Sequence, residues 1–389
     1  AATVPAEEIE AVVATLGIST KQMEAYPPAQ KSEAKPLMEL LRPWPQHFTA
    51  RGEAERGEWM FQSDEQNQTF ADFVKAVRTK GPNQPHQPTR ARHTIYLLPF
   101  GSGSAPGKVG CFPDLELCRS FVEAWYGLPC VLLPPENIHL SKSVKKTASK
   151  ERRQYHAKDI LNAMLRKVPK DAHCLLGLTM EDIGVFERVT FLFGLASFAQ
   201  RVGVFSFCRQ DPAWYRGKAR MTDDLRMVFE RATEREEGDE ATVTRRALWT
   251  LSHEIGHTFG IRHCRFYHCT MAGSNGLEET DKRAARDLCP VCLRKLSWST
   301  LTSNLRAVDT TIPPTSTVPW ALERYRRLAS FYSEFLKLFP GDDKVPEAQA
   351  FVLARIEHLE SGAAWARLDP DLPRPPPPAL GAAQAEPEP

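Results

Sequence analysis

Three of the histidines and the four cysteines in one stretch, His253 to Cys292, form two interleaved sets of metal-ligand residues. The first set reads His253-Glu254-x-x-His257-x-x-Gly260-x-x-His263. His253 and His257 stand four apart, so a helix places both imidazoles on one face, one turn apart. That suits two ligands of one zinc ion. Glu254 projects beside them, towards the open position of such a metal. A helix running straight on would carry position 263 almost two turns beyond 257, too far for the same ion. Gly260 resolves this, because glycine adopts the left-handed conformation that ends a helix and turns the chain. His263 can then return as a third ligand. Three histidines and an open water position make a catalytic rather than a structural zinc arrangement. Glu254 is placed to take a proton from a metal-activated water and to pass it to a leaving amine. That is hydrolysis of a peptide bond. Ser252 precedes His253 but lacks the context of a nucleophile.

The second set is Cys264-x4-Cys269 and Cys289-x2-Cys292. Four thiolates make a closed tetrahedral zinc site, which favours structure over catalysis. Redox pairs or buried free thiols are the competing reading, and the polar sequence around these cysteines offers little core to bury thiols in. Cys264 adjoins His263, so a second zinc would brace the loop that carries the third histidine. His268 beside Cys269 reads as a bystander. Met271 reads either as core or as a hydrophobic floor beneath the first metal.

These residues need a scaffold. Thr244 to Gly260 reads as one helix, with Leu248, Leu251, Ile255 and Phe259 at helical spacing and Thr242 or Thr244 as cap. Upstream, HTIYLLPFG is a buried strand, FPDLELCRSFVEAWYG a helix and PCVLLPP a second strand, which together form a right-handed βαβ unit. SKSVKKTASKERRQYH reads as a basic loop, YHAKDILNAMLRKVP as a helix, HCLLGLTM as a third strand and EDIG as a turn. RVTFLFGLAS and VGVFSFCR are two further strands. The pattern is an α/β sheet with mixed strand direction. Residues 210–240 read as an exposed loop with a short helix, and TVPWALERYRRLASFYSEFLKLFP and VPEAQAFVLARIEHLE as a helical pair. In residues 1–92, VPAEEIEAVVATLGI, MELLRPWPQHF and QTFADFVKAV are helix candidates among loose linkers.

Composition excludes little but is consistent. The chain of 389 residues is 42% hydrophobic and 25% charged, with net charge +2, so no global charge calls for nucleic acid or a membrane surface. No apolar run is long enough for a spanning helix. The N-terminus lacks the features of a signal peptide and an initiator Met, and a segment upstream is an open matter. Five further cysteines, Cys111, Cys118, Cys130, Cys174 and Cys208, are scattered, mostly in apolar runs. That pattern predicts a reducing compartment, cytosol or nucleus.

HExxHxxGxxHC, a Cys after four residues, a Met two later and a CxxC pair after seventeen more resemble the archaemetzincin (archaelysin) signature of the metzincin clan. Every spaced position matches. The resemblance implies a zincin-like mixed, twisted sheet with an active-site helix, and N- and C-terminal helical additions. It implies a zinc metallopeptidase with His253, His257 and His263 on a catalytic zinc and Glu254 as general base. Cys264, Cys269, Cys289 and Cys292 would hold a structural zinc, two Zn2+ per chain in all, with Met271 as the Met-turn residue. The expected division is an N-terminal extension over 1–92, a catalytic domain over 93–300, a helical pair over 301–365 and a disordered Pro/Ala-rich tail over 366–389. The expected partner is a peptide or protein substrate. By analogy with metzincins, Phe191 to Ser197 would be an edge strand that holds it by strand addition, with Gly194 over the cleft. The second reading is a catalytically weak or inactive zinc-binding interaction module. An intact Glu254 argues against it, and weak basicity argues against a nucleic-acid finger.

Overall fold

The computed structural model describes residues 40, 48–52, 54–79, 81, 84–101, 110–136, 138, 144–146, 153–185, 189–197, 199–216, 218–221, 227–230, 234–282, 287–304 and 314–361. The helix expected in VPAEEIEAVVATLGI, most of MELLRPWPQHF and the tail over 366–389 lie outside them.

A short helix α1 (Trp59–Gln62) and helix α2 (Phe70–Arg78) precede the first strand. Thr69 and Asp72 close a capping box on α2, side chain to backbone at 3.1 Å and 3.0 Å, which satisfies donors left free in a first turn. Then come β1 (Thr94–Pro99), α3 (Leu115–Tyr126), β2 (Cys130–Leu132), β3 (Val144–Lys146), β4 (Arg153–His156), α4 (Ala157–Met164), β5 (Ala172–Thr179), β6 (Asp182–Val185), β7 (Val189–Leu192), β8 (Gly194–Ser197) and β9 (Val202–Ser206). The hairpin β10 (Lys218–Met221) and β11 (Met227–Glu230) leads to α5 (Asp239–Thr258), α6 (Leu277–Asp281), α7 (Pro290–Asn304), α8 (Pro314–Leu338) and α9 (Val345–Glu360).

The main sheet has the order β2-β1-β5-β9-β8. Its first four strands run parallel, and β8 closes one edge antiparallel to β9, Gly194 opposite Phe205 and Ser197 opposite Val202. Every residue of β5 is buried, as a parallel strand covered on both faces requires. Alternation sorts the two faces. Ile95, Leu97, Cys174, Leu176 and Leu178 meet α3 and α5 in one core, while Leu98, Leu175, Val202 and Val204 meet Ile160, Leu161 and Met164 of α4 in another. Burying a side chain such as Phe121 or Trp125 of α3 contributes roughly 1.5–3 kcal/mol. A second sheet has the order β3-β4-β6-β7. The architecture is the mixed α/β class that the sequence predicts.

Several elements differ from expectation, each for a physical reason. The basic stretch expected as a loop contributes β3 and β4, paired Val144 to Tyr155; lysines suit an outer strand and hide its period. EDIG, expected as a turn, enters β6 at Asp182, and residues 210–240 contain the β10–β11 hairpin. The single apolar run RVTFLFGLAS is split at Phe193, with β7 in the second sheet and β8 in the first. Helix α5 begins at Asp239 rather than near Thr244, its N-cap being Gly238 with Asp239 and Glu240 in the first turn, where carboxylates suit the helix dipole. Helix α7 was not expected at all. It is buried along 290–300, so it carries no amphipathic stripe to betray it.

The terminal helices share the core with the sheet's helical face. Tyr325, Leu328 and Phe335 of α8 are fully buried. Arg324 donates to both oxygens of Asp287 at 3.0 and 2.6 Å and to the Trp125 carbonyl at 2.9 Å. That buried pair ties α8 to the base of the cysteine segment and to α3. Among the described residues, no helix is long and apolar enough to cross a membrane.

Candidate active site and metal centres

Helix α5 delivers His253, Glu254 and His257 and then stops. Gly260 has φ +87°. Its N–H donates to the His257 carbonyl at 2.9 Å, and that of Ile261 to the Gly256 carbonyl at 3.3 Å. This is the bond pattern of a Schellman C-cap, which needs a left-handed residue at its turn. A Cβ on Gly260 would also lie 2.6 Å from Pro85. The turn returns His263 to the other two.

The three imidazoles converge. His253 Nε2 and His257 Nε2 are 3.0 Å apart, and one nitrogen from each histidine lies within 4.8 Å of the others. Each Nδ1 faces outward onto an acceptor. That of His253 meets the Thr270 carbonyl at 2.7 Å, that of His257 the Ile261 carbonyl at 2.7 Å, and that of His263 the Glu65 carboxylate at 2.7 Å. Carbonyl and carboxylate oxygens only accept, so each Nδ1 carries the proton and each Nε2 presents a lone pair. Converging lone pairs repel one another unless a cation lies among them. Zinc–nitrogen bonds in a tetrahedron place nitrogens about 3.4 Å apart, so the donor set fits zinc. Burial, reinforced by His263, holds the His257 imidazolium down to about 4, leaving the neutral ligand form at pH 7.

Glu254 lines the cleft beside the histidines. Part of its surface is exposed, yet protein surrounds it closely enough that desolvation pushes its carboxyl up to about 7. A neighbouring cation acts in the opposite sense. β8 passes directly over it: a Cβ on Gly194 would lie 3.1 Å from the Glu254 carboxyl carbon and 2.4 Å from the Phe205 ring. Only glycine lets the strand come so near. The cleft measures roughly 1040 Å³, and Phe191, Phe193, Leu195 and Trp249 are among the residues that line it.

The four cysteines form the second cluster, all buried and free of disulfides. Cys264 Sγ and Cys289 Sγ are 3.6 Å apart, too far for a disulfide and close to the edge of about 3.8 Å of a zinc–thiolate tetrahedron. The backbone N–H groups of Cys289 and Met271 donate to Cys269 Sγ at 3.2 and 3.4 Å, an arrangement that favours thiolate. Bonds from the other three cysteines hold the Cys264 thiol well below its usual range. Cys264 N–H donates to the Met271 carbonyl at 2.7 Å. A Cβ on Gly256 would meet the Met271 sulfur at 2.5 Å, so that side chain lies buried against α5 between its two histidines. His268 belongs to neither cluster among the described residues.

Residues invisible in the sequence complete the site. The stretch from Trp59 to Gln87 wraps the His263 loop. Trp59 packs on His263 with ring centroids 4.6 Å apart. Gln68 donates to the Gly260 carbonyl at 3.1 Å and accepts from the Arg262 N–H at 3.1 Å. Gln87 donates to the Phe259 carbonyl at 2.7 Å. Nothing in the polar run around Glu65 signals this, since its partner stands 198 residues away.

Residues 130–298 match Peptidase family M54. The chain is 32% identical over 252 residues to archaemetzincin-2 of Rattus norvegicus, covering 62% of this chain and 67% of that protein. It is 30% identical over 281 residues to archaemetzincin-2 of Mus musculus, covering 70% of this chain and 76% of that one. The chain belongs to the archaemetzincin family. Its class of chemistry is accordingly that of a zinc metallopeptidase. A crystal structure of archaemetzincin from Methanopyrus kandleri is similar at 24% identity with a TM-score of 0.38, over 55% of this chain and 97% of that one. The region matched to M54 begins at Cys130, so Trp59, Glu65 and Gln68 stand outside it.

Proposed function

We propose that this archaemetzincin hydrolyses peptide bonds in an extended peptide or protein segment, with His253, His257 and His263 holding a catalytic zinc and Glu254 serving as general base. The observation that carries the reading is the convergence of three Nε2 lone pairs beside a carboxylate and beneath an edge strand. Zinc at that position supplies Lewis acidity to a scissile carbonyl and to a water. The chain supplies the rest. Backbone groups on the outer edge of β8 receive the peptide as an added strand, with Gly194 allowing its close passage over Glu254. Glu254 takes the proton of the attacking water and returns it to the departing amine. Its desolvated setting raises its affinity for protons above that of an ordinary carboxylate, and a cation beside it would act in the opposite sense. Phe191, Phe193, Leu195 and Trp249 offer apolar surface to side chains flanking the scissile bond.

Cys264, Cys269, Cys289 and Cys292 hold a second, structural zinc in this reading, two ions per chain. It fastens the His263–Cys264 junction from behind. The other five cysteines, free and buried, support a reducing compartment, cytosol or nucleus.

The test is cleavage of a diverse peptide library by the zinc-replete chain, with zinc content measured alongside. Glu254→Ala should keep both zinc ions and lose at least about 100-fold in rate. A strand-mimicking inhibitor should protect the amides of β8 from exchange. Zinc-replete protein that cleaves no peptide would sink the reading in favour of an interaction module.

A further inference from the structure

We infer that Glu65, on the segment preceding the sheet, is the positioning residue of the catalytic metal site: it fixes His263 from behind and sets the affinity of the three-histidine site. The inference rests on the zinc reading above. Two histidines anchor their Nδ1 atoms on carbonyls of their own neighbourhood, Ile261 and Thr270. His263 alone uses a side chain, the Glu65 carboxylate at 2.7 Å. The other carboxylate oxygen lies 3.4 Å from the backbone N–H of His263. One carboxylate thus grips both the ring and the backbone of the same residue. His263 stands beyond the end of α5, where no helix holds its orientation.

The backbone around Glu65 is held in place without help from the histidine. The guanidinium of Arg265 donates to the carbonyls of Ser63 and Glu65, both at 2.9 Å, and to that of Met60 at 3.1 Å. The backbone N–H of Arg265 donates to Asn67 at 2.9 Å. Buried Lys295 bonds the Gln68 side-chain oxygen at 3.1 Å and its carbonyl. The backbone that carries the carboxylate is therefore fixed, and a carboxylate behind a ligand imidazole fixes its tautomer and raises its basicity. Affinity is in this way made to depend on a segment outside the M54-matched region.

The test titrates zinc into full-length variants with the cysteine site loaded, against a chromophoric chelator. Glu65→Ala should weaken binding at the histidine site about 10- to 100-fold. Glu65→Gln keeps shape and an acceptor oxygen but not the charge, so its loss should be smaller. Phe61→Ala changes an exposed side chain of the same segment without touching His263 or the ties of Glu65, and should bind as the wild type does. Cobalt in the histidine site should show a shifted visible spectrum in Glu65→Ala and not in Phe61→Ala. Unchanged affinity in Glu65→Ala, or equal losses in Glu65→Ala and Phe61→Ala, would overturn the assignment. A His253→Ala variant that binds as much zinc as the wild type would instead overturn the zinc reading itself.

Discussion

Gly260 is where the chain's geometry and its chemistry meet, and Gly260→Ala should cost the histidine site its metal. Two strains add at this position. A residue with a Cβ at φ +87° carries about 1–2 kcal/mol of left-handed strain. The new methyl would also lie 2.6 Å from Cγ and 2.7 Å from Cβ of Pro85, an overpacking that costs about 1–3 kcal/mol. The sum of about 2–5 kcal/mol is released if the turn opens, and opening carries His263 away. If all of it is charged to metal binding, affinity falls about 30-fold to several thousand-fold, at 1.4 kcal/mol per tenfold. Chelator competition measures the fall, and a Pro85→Gly background separates its parts. That change removes the clash and leaves the backbone strain, so Gly260→Ala should be about 1–3 kcal/mol milder there. Gly260→Ala protein that binds zinc as tightly as the wild type would refute the reasoning that the turn positions the third ligand.

Other perturbations probe the support of the site. Cys264→Ser should weaken zinc binding at the histidines about 10-fold although Cys264 is not their ligand, because the cysteine cluster and the 2.7 Å Cys264–Met271 backbone bond anchor the loop; unchanged affinity there would end the bracing idea. Asp287→Ala leaves Arg324 buried without its carboxylate, which should cost about 3–5 kcal/mol in denaturant unfolding, and a loss within experimental error would show the pair to be dispensable. His173 is fully buried against Phe259, and desolvation holds it down to about 3 against an ordinary 6.5. The unfolded chain takes up a proton below pH 6.5 that the folded chain refuses. The contribution is therefore complete above 6.5 and is lost towards pH 3, by up to about 1.4 kcal/mol per pH unit. His173→Phe should flatten that acid slope in urea midpoints between pH 7 and 5, and an identical slope would contradict it.

Spacing made the two clusters legible. HExxHxxGxxH encodes a helix face and a stop, and the structure supplies both, down to the left-handed Gly260. Strands with clean alternation or continuous apolar runs, such as β1 and β5, were legible for the same reason. Three kinds of feature were not. A helix buried on all sides, α7, has no polar face to set its period. A single apolar run can serve two sheets, and nothing local marks Phe193 as the point of division. Backbone carbonyls and distant side chains that hold the histidines leave no trace in residue spacing: Thr270 and Ile261 act through their main chains, and Glu65 acts across 198 residues.

The central claim is that residues 253–292 hold two zinc ions of different character. Zinc-edge X-ray absorption of the full-length chain tests it most directly, read together with metal content. The proposed function predicts two zincs per chain, one surrounded by sulfur alone at about 2.3 Å and one by nitrogen and oxygen at about 2.0 Å. His257→Ala should remove the second signal and keep the first. A single zinc per chain, or one with mixed sulfur and nitrogen neighbours, would contradict the account.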